Sequence, residues 1–430
     1  MRFFSTLWFV PVVSLVSAPF SPGEEEIHPK DIEFKRRAAI RMVFDENQSI
    51  PLSSLRPASV RDFDLMHPEL GEESSSLWKI EEGNLHLETA DSAASSLRWV
   101  GGINDYATYD LDLEACQGSG ATGIAFRNSS NGDLLAARLH FSEGVPEKLT
   151  WSVTLKGEEV VREEWPLVGN AISNEFALRI QMAVVGVNLL LESHGQSTLI
   201  GFSDFSEHID LRDRACMRDF DFGILAELEG ESSLSFAEAS AALTPGNGQA
   251  DIRAITDKFG VPLFEEGRLW FTMTVRGRAL ANPMQAVFSL DPSVFDLRFE
   301  GIIAFVLGDG KLRNEHASHL VLDSESGEWR GWTTGFSAFG GAEGEAGKTI
   351  LAVSSSRDPR RGFSIMKAKP VGIVGAHEDA HCIYDTEAKK WRMLLCEKQV
   401  KFRAAIWECD LWDHGFERIA GPVPMDSTGT

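Results

Sequence analysis

From residue 62 to residue 243 the chain alternates apolar and polar positions in short runs divided by Gly, Asn and Ser, among them "NLHLET", "TYDLDLEA", "TGIAFRN", "LLAARLHF", "LTWSVTL" and "FDFGILAEL". A period of two sends successive side chains to opposite faces. These runs therefore predict strands buried on one side, and their close spacing predicts an antiparallel sandwich. The turn-rich stretch "TPGNGQAD", residues 244 to 251, closes that region. Beyond it a longer pattern sets in, marked by Trp270, Trp329 and Trp391 at a period of about sixty residues. Each tryptophan belongs to a unit with four apolar runs and polar turns between them. Four strands per repeat predict blades radiating from an axis, with the three tryptophans packed between them.

The leading residues read differently. Arg2 precedes an apolar run from Leu7 to Val16 and then small residues, the layout of a secretory signal. The run is too short to span a bilayer, and no other apolar run reaches membrane length. Residues 1–22 are thus expected to be a signal, residues 23–61 a linker with one short helix over "KDIEFKRRAAIRMVF", residues 62–245 the sandwich and residues 250–430 the blades. A secreted or periplasmic protein follows. The net charge of −23 argues against a nucleic-acid partner, because phosphate would be repelled. Five cysteines without CxxC spacing argue against a thiolate zinc site. Cys382 and Cys396 are placed to face each other across a hairpin, with buried free thiols as the expected state.

The order of runs in "LWKIEEGNLHL", "TGIAFRNSSNGDLLAARLHF", "LRIQMAVVGVNLLLESHG" and "FDFGILAELEGESSLSFAEASAAL" resembles the concanavalin-like and laminin-G-like jelly-roll domains. The hairpin "EDAHCIYDTEAKKWRMLL" resembles the blade opening of the five-bladed β-propeller glycoside hydrolases, the arabinanase and β-xylosidase group with its invertase-like relatives. Together these likenesses imply an all-β protein: an N-terminal jelly-roll sandwich followed by a partial propeller of about three blades. Five blades of this period need about 300 residues, and about 180 follow the joint. An open arc of blades would expose apolar faces and sheet edges.

The propeller likeness also implies a chemistry. In those enzymes carboxylates at the start of successive inner strands ring a funnel, and glycoside hydrolysis needs one carboxylate ionised and one protonated. On the tryptophan register the funnel positions are Asp257, His316 and Glu378. Glu378, Asp379 and Asp257 are the candidate catalytic residues, and His316, His319, His381 and Glu315 the candidates for binding substrate. His377, Asp379 and His381 would share one strand face, with His316 and His319 as further donors, but hydrogen-bonded histidines in a polar cleft are the expected state. No metal or cofactor is expected. Trp332, Trp407 and Trp412 have no repeat partner, so one of them is a candidate to stack on a sugar. "Arg357-Asp358-Pro359" reads as a charged turn. The function implied is an exported glycoside hydrolase-like protein acting on or binding oligo- or polysaccharide. The alternative is a non-catalytic carbohydrate-binding or adhesion protein that keeps the propeller shape.

Overall fold

A computed structural model describes residues 48–52, 78–89, 93–167, 176–193, 195–246, 248–276, 283–336, 349–375, 377–398 and 401–423. The signal-like segment and the linker helix lie outside the described residues. No helix among the described residues is long and apolar enough to cross a membrane.

The architecture is all-β. Two long strands, Thr108–Asn128 and Phe220–Leu243, run antiparallel to each other and build both layers of the sandwich. Their outer halves pair with Phe176–Met182 on one side and Asn84–Thr89 on the other. Their inner halves pair with Leu134–Ser142 and Ala94–Gly102. Each strand changes layer at a break in register near Glu229 and Ser233, where Gly118 adopts φ +75. A Cβ on Gly118 would stand 2.2 Å from Ser232 Oγ and 2.5 Å from the Glu231 carbonyl, so only glycine allows the bend. Between the layers Tyr109 meets Phe126 and Phe222 with ring centroids 4.8 Å apart, and its hydroxyl donates to the Asn104 carbonyl at 2.9 Å.

Three four-stranded antiparallel sheets follow. The first contains Gly248–Ala254, Arg268–Arg276, Met284–Asp291 and Asp296–Val306. The second contains His316–Asp323, Glu328–Gly335, Thr349–Ser355 and Gly362–Val374. The third contains His377–Asp385, Lys390–Lys398, Phe402–Cys409 and Glu417–Ala420. Blades one and two are also joined edge to edge. Asp296–Val306 pairs in parallel with Gly362–Val374, and the two-residue strand Thr256–Asp257 pairs in parallel with His316–Asp323.

The cores show how the sheets stack. Ile255, Trp270 and Val287 of the first blade pack on Leu320, Trp329 and Leu351 of the second. Val321, Trp332 and Ala352 of the second pack on Cys382, Met393 and Leu395 of the third. The other face of the first blade, through Met273, Val275, Met284, Phe288 and Ile302, joins the core of the sandwich. One end of the arc is therefore not exposed, as an open propeller would leave it, because the sandwich covers it. Arg276 fastens this joint. Fully buried, its guanidinium donates to the carbonyls of Met182, Thr244, Tyr106 and Ala107 at 2.6 to 3.3 Å. All five cysteines are free. Cys382 lies opposite Met393 and Cys396 opposite Glu378, so the two thiols do not pair across the hairpin.

Candidate functional site

Each inner strand carries one extra residue in a left-handed conformation: Asp251 at φ 53, Ala317 at φ 56 and Asp379 at φ 66. The register shifts there in all three blades. Such residues are uncommon outside glycine, and their recurrence marks a shared device at the axis. The amides of Ala317 and Asp379 each donate to a threonine of the preceding blade, Thr274 at 3.2 Å and Thr334 at 2.9 Å.

This bulge fixes which residues are equivalent. Ala250, His316 and Glu378 occupy one position, and Arg253, His319 and His381 another. Asp257 is not among them. It lies beside Leu322, toward the far end of the second inner strand, and its carboxylate accepts the amides of Phe259 and Val261 at 2.8 and 2.9 Å. The tryptophan spacing misplaces it because the first blade inserts residues 255–267 between its inner and second strands, where the other blades have short turns. The bulge also separates His377 from His381: His377 faces Glu397 and His381 faces Leu394, on opposite sides of the sheet.

The inner strands touch one another directly. Arg253 donates to the carbonyls of Asp379 and Ala380 at 3.0 and 2.9 Å and pairs with the Asp379 carboxylate at 3.4 Å. His319, fully buried, shares a hydrogen bond with Thr256 Oγ1 at 3.1 Å and accepts the Cys382 amide at 3.2 Å. His381 stacks on it with ring centroids 3.8 Å apart. Burial depresses both imidazoles, and Arg253 lowers them further, so the pair is neutral at pH 7. His316 is buried against the Phe336 ring, whose amide donates to Glu315. Glu378 is half-buried. Among the described residues no three His, Cys, Asp or Glu side chains are gathered so as to hold a metal. Trp332 is fully buried and donates to the Trp412 carbonyl at 2.8 Å, Trp407 meets His377 edge-on, and Trp412 lies under Arg330. Asp358 is bound by Arg360 within a turn.

A groove of about 630 Å³ lies elsewhere, on the outer face of the sandwich layer built from Thr108–Asn128, Phe176–Met182 and Phe220–Leu243. Its floor is the stretch "YDLDLE". Tyr109, Leu111 and Leu113 point into the core, which leaves Asp110, Asp112 and Glu114 along the groove. The three carboxylates have different surroundings. Asp110 is paired with Arg179 at 2.6 Å, and Arg179 also reaches Glu192 at 3.3 Å. Glu114 accepts Asn84 Nδ2 at 2.6 Å and Ser235 Oγ at 2.9 Å. Asp112 has no donor among the described residues and lies directly opposite Glu238. Burial first, then the charges of Asp110, Glu238 and Glu192, push Asp112 from 3.8 up to about 6. Burial also raises Asp110, with Arg179 opposing.

The sequence reading passed over this cluster. The signal was present in "TYDLDLEA": once the strand is read as buried on one face, acids at every second position must share the other.

No protein family and no curated protein matches the sequence. Some solved structures are similar over part of the chain. Xylan β-1,4-xylosidase from Bacillus halodurans C-125 is 16% identical with a TM-score of 0.31, over 48% of this chain and 41% of that one. The carbohydrate-binding module CBM66 from Bacillus subtilis is 14% identical with a TM-score of 0.29, over 41% of this chain and 97% of its own. A legume lectin-like domain from Entamoeba histolytica is 13% identical with a TM-score of 0.30, over 38% and 85%. This chain spans about two fifths of the xylosidase. At scores this low the likenesses carry no functional argument, which rests on the geometry of the chain itself.

Proposed function

We propose that this protein is carbohydrate-active, that a glycan chain lies in the sandwich groove, and that Asp112 acts there as the general acid of a glycoside hydrolysis. The observation that carries this reading is the divergence of neighbouring carboxylates. Asp112, with no donor among the described residues, holds its proton up to about pH 6, while Glu114 accepts Asn84 Nδ2 and Ser235 Oγ. Cleavage of a glycosidic bond requires a carboxyl group that keeps its proton for the leaving oxygen, and Asp112 is the groove residue whose surroundings suit that role. Glu238, directly across the ladder from Asp112, is the candidate nucleophile or base. Asp110, fixed by Arg179, is a candidate to bind sugar hydroxyls.

The blade side supplies the competing location, where Glu378, Asp379, His316, His319, His381, Glu315 and Asp257 are the candidates. Asp379 is held by Arg253 and the inner strands meet at the axis, so the groove is the better supported of the two. Export through the N-terminal apolar segment belongs to the same reading. Asp112→Asn and Glu378→Gln, assayed for binding and hydrolysis against a panel of plant and algal polysaccharides, test it. The expected result is hydrolysis lost in Asp112→Asn with binding retained, and unchanged in Glu378→Gln. The opposite pattern would move the chemistry to the blades, and a parent protein that neither binds nor cleaves any glycan would overturn the reading.

A further inference from the structure

We infer that the outward face of the third blade is a docking surface for a second copy of this chain, blade face against blade face about a twofold axis. The inference starts from the stacking already described. In the second blade Val321, Trp332 and Ala352 form the face that the third blade buries. In the bulge-based register the same places in the third blade are held by Ile383, Leu394 and Ile406, since Arg392 pairs with Ile383 as Arg330 does with Val321, and Leu394 pairs with His381 and Ile406 as Trp332 does with His319 and Ala352. All three are apolar, and all three are exposed, at 40, 43 and 36%. The surface that receives a neighbour in one blade recurs in the next, and no sheet among the described residues covers it.

A second observation extends the patch. The loop after the first inner strand crosses to the third blade, where the Lys258 carbonyl accepts the Tyr384 amide at 2.7 Å and Phe259 meets the Tyr384 ring. Phe259 and Val261 on that loop are 49 and 60% exposed, and Gly260 lies against Ile383. The apolar surface thus continues from Leu394 past Ile383 onto the loop, an arrangement typical of interaction sites.

The occupant follows from what a second copy has to offer. Its first blade is covered by its sandwich, and its second lies between the other two. Among the blade faces of the described residues, the like face of its own third blade is the one left uncovered, and like meeting like gives a closed twofold dimer rather than a filament. The charges on the face suit this pairing, because Arg392 stands beside Asp385 at 3.2 Å and Glu408 at 4.0 Å. Apposed about a twofold, each arginine can face acids of the other copy. A four-stranded blade face measures roughly 20 by 23 Å, below the usual size of a stable interface, so association in the micromolar range is expected. The net charge of −23 opposes self-association, so salt should strengthen it.

Sedimentation velocity of the full chain from about 1 to about 100 μM, at about 0.15 M and higher salt, tests the inference. The expected result is a mass that rises from monomer to dimer, more readily at high salt. Leu394→Glu should hold it at monomer, whereas Val294→Glu, at an exposed apolar position on a first-blade turn, should not. Should Leu394→Glu unfold, Arg392→Glu provides the second arm. It should weaken the dimer, and Arg392→Glu with Glu408→Arg should restore it. A monomer throughout, or a dimer indifferent to both substitutions, overturns the inference.

Discussion

Replacing Asp112 with Asn should make the protein more stable at neutral pH and have little effect in acid. The raised pKa means that the folded state holds a proton which the unfolded chain releases between the ordinary 3.8 and about 6. Across that window the folded state binds more protons than the unfolded one, so stability contributed at low pH is lost as pH rises, the reverse of an ion-paired carboxylate. About two pH units correspond to about 3 kcal/mol. Asp112 is only half-buried, and solvent screening reduces the figure to about 1–2 kcal/mol. An amide removes the charge but keeps the shape, so Asp112→Asn should recover that amount at pH 7.5 and almost none at pH about 3.5. Urea denaturation of both proteins at several pH values, followed by tryptophan fluorescence, measures it. A stability difference that does not vary with pH, or a variant less stable at neutral pH, would refute the account of Asp112.

Two further outcomes follow from the way the sheets are joined. Arg276→Met should destabilise the protein by about 3 kcal/mol in the same assay, because four buried carbonyls lose a charged donor. Arg276→Lys should recover only part of the loss, since one ammonium cannot reach all four. Gly301→Val should cost about 2–3 kcal/mol by thermal unfolding, because a Cβ there would stand 2.4 Å from the Gly362 carbonyl and push apart the parallel pairing of the first two blades.

The all-β class, the sandwich and the four-stranded repeat were legible because strand periodicity is local. The strands "TYDLDLEA" and "FDFGILAEL" announced themselves, but the fact that each continues across a bend into the second layer did not. That continuation depends on Gly118 meeting Ser232, a contact between distant parts of the chain. The inner-strand alignment failed at Asp257 for a similar reason. Tryptophan spacing measures chain length, whereas equivalence is set by the left-handed residues Asp251, Ala317 and Asp379, whose conformation leaves no mark in composition. His319 and His381 read from the sequence as candidates to bind substrate in a polar cleft, and the structure brings them together as a stacked, neutral pair. The groove carboxylates were visible as an alternating pattern, but what sets Asp112 apart was not, because its burial, and after it the charges of Asp110 and of Glu238 on another strand, arise only in the folded ladder.

The core shared by the sandwich and the first blade has a practical meaning for anyone dividing this protein into pieces. Cutting at the turn-rich joint would strip cover from Met273, Val275, Met284, Phe288 and Ile302 and leave Arg276 without its acceptors. A smaller unit that keeps its integrity would have to run through the first blade, so the boundary that composition suggests is not the seam along which the molecule separates.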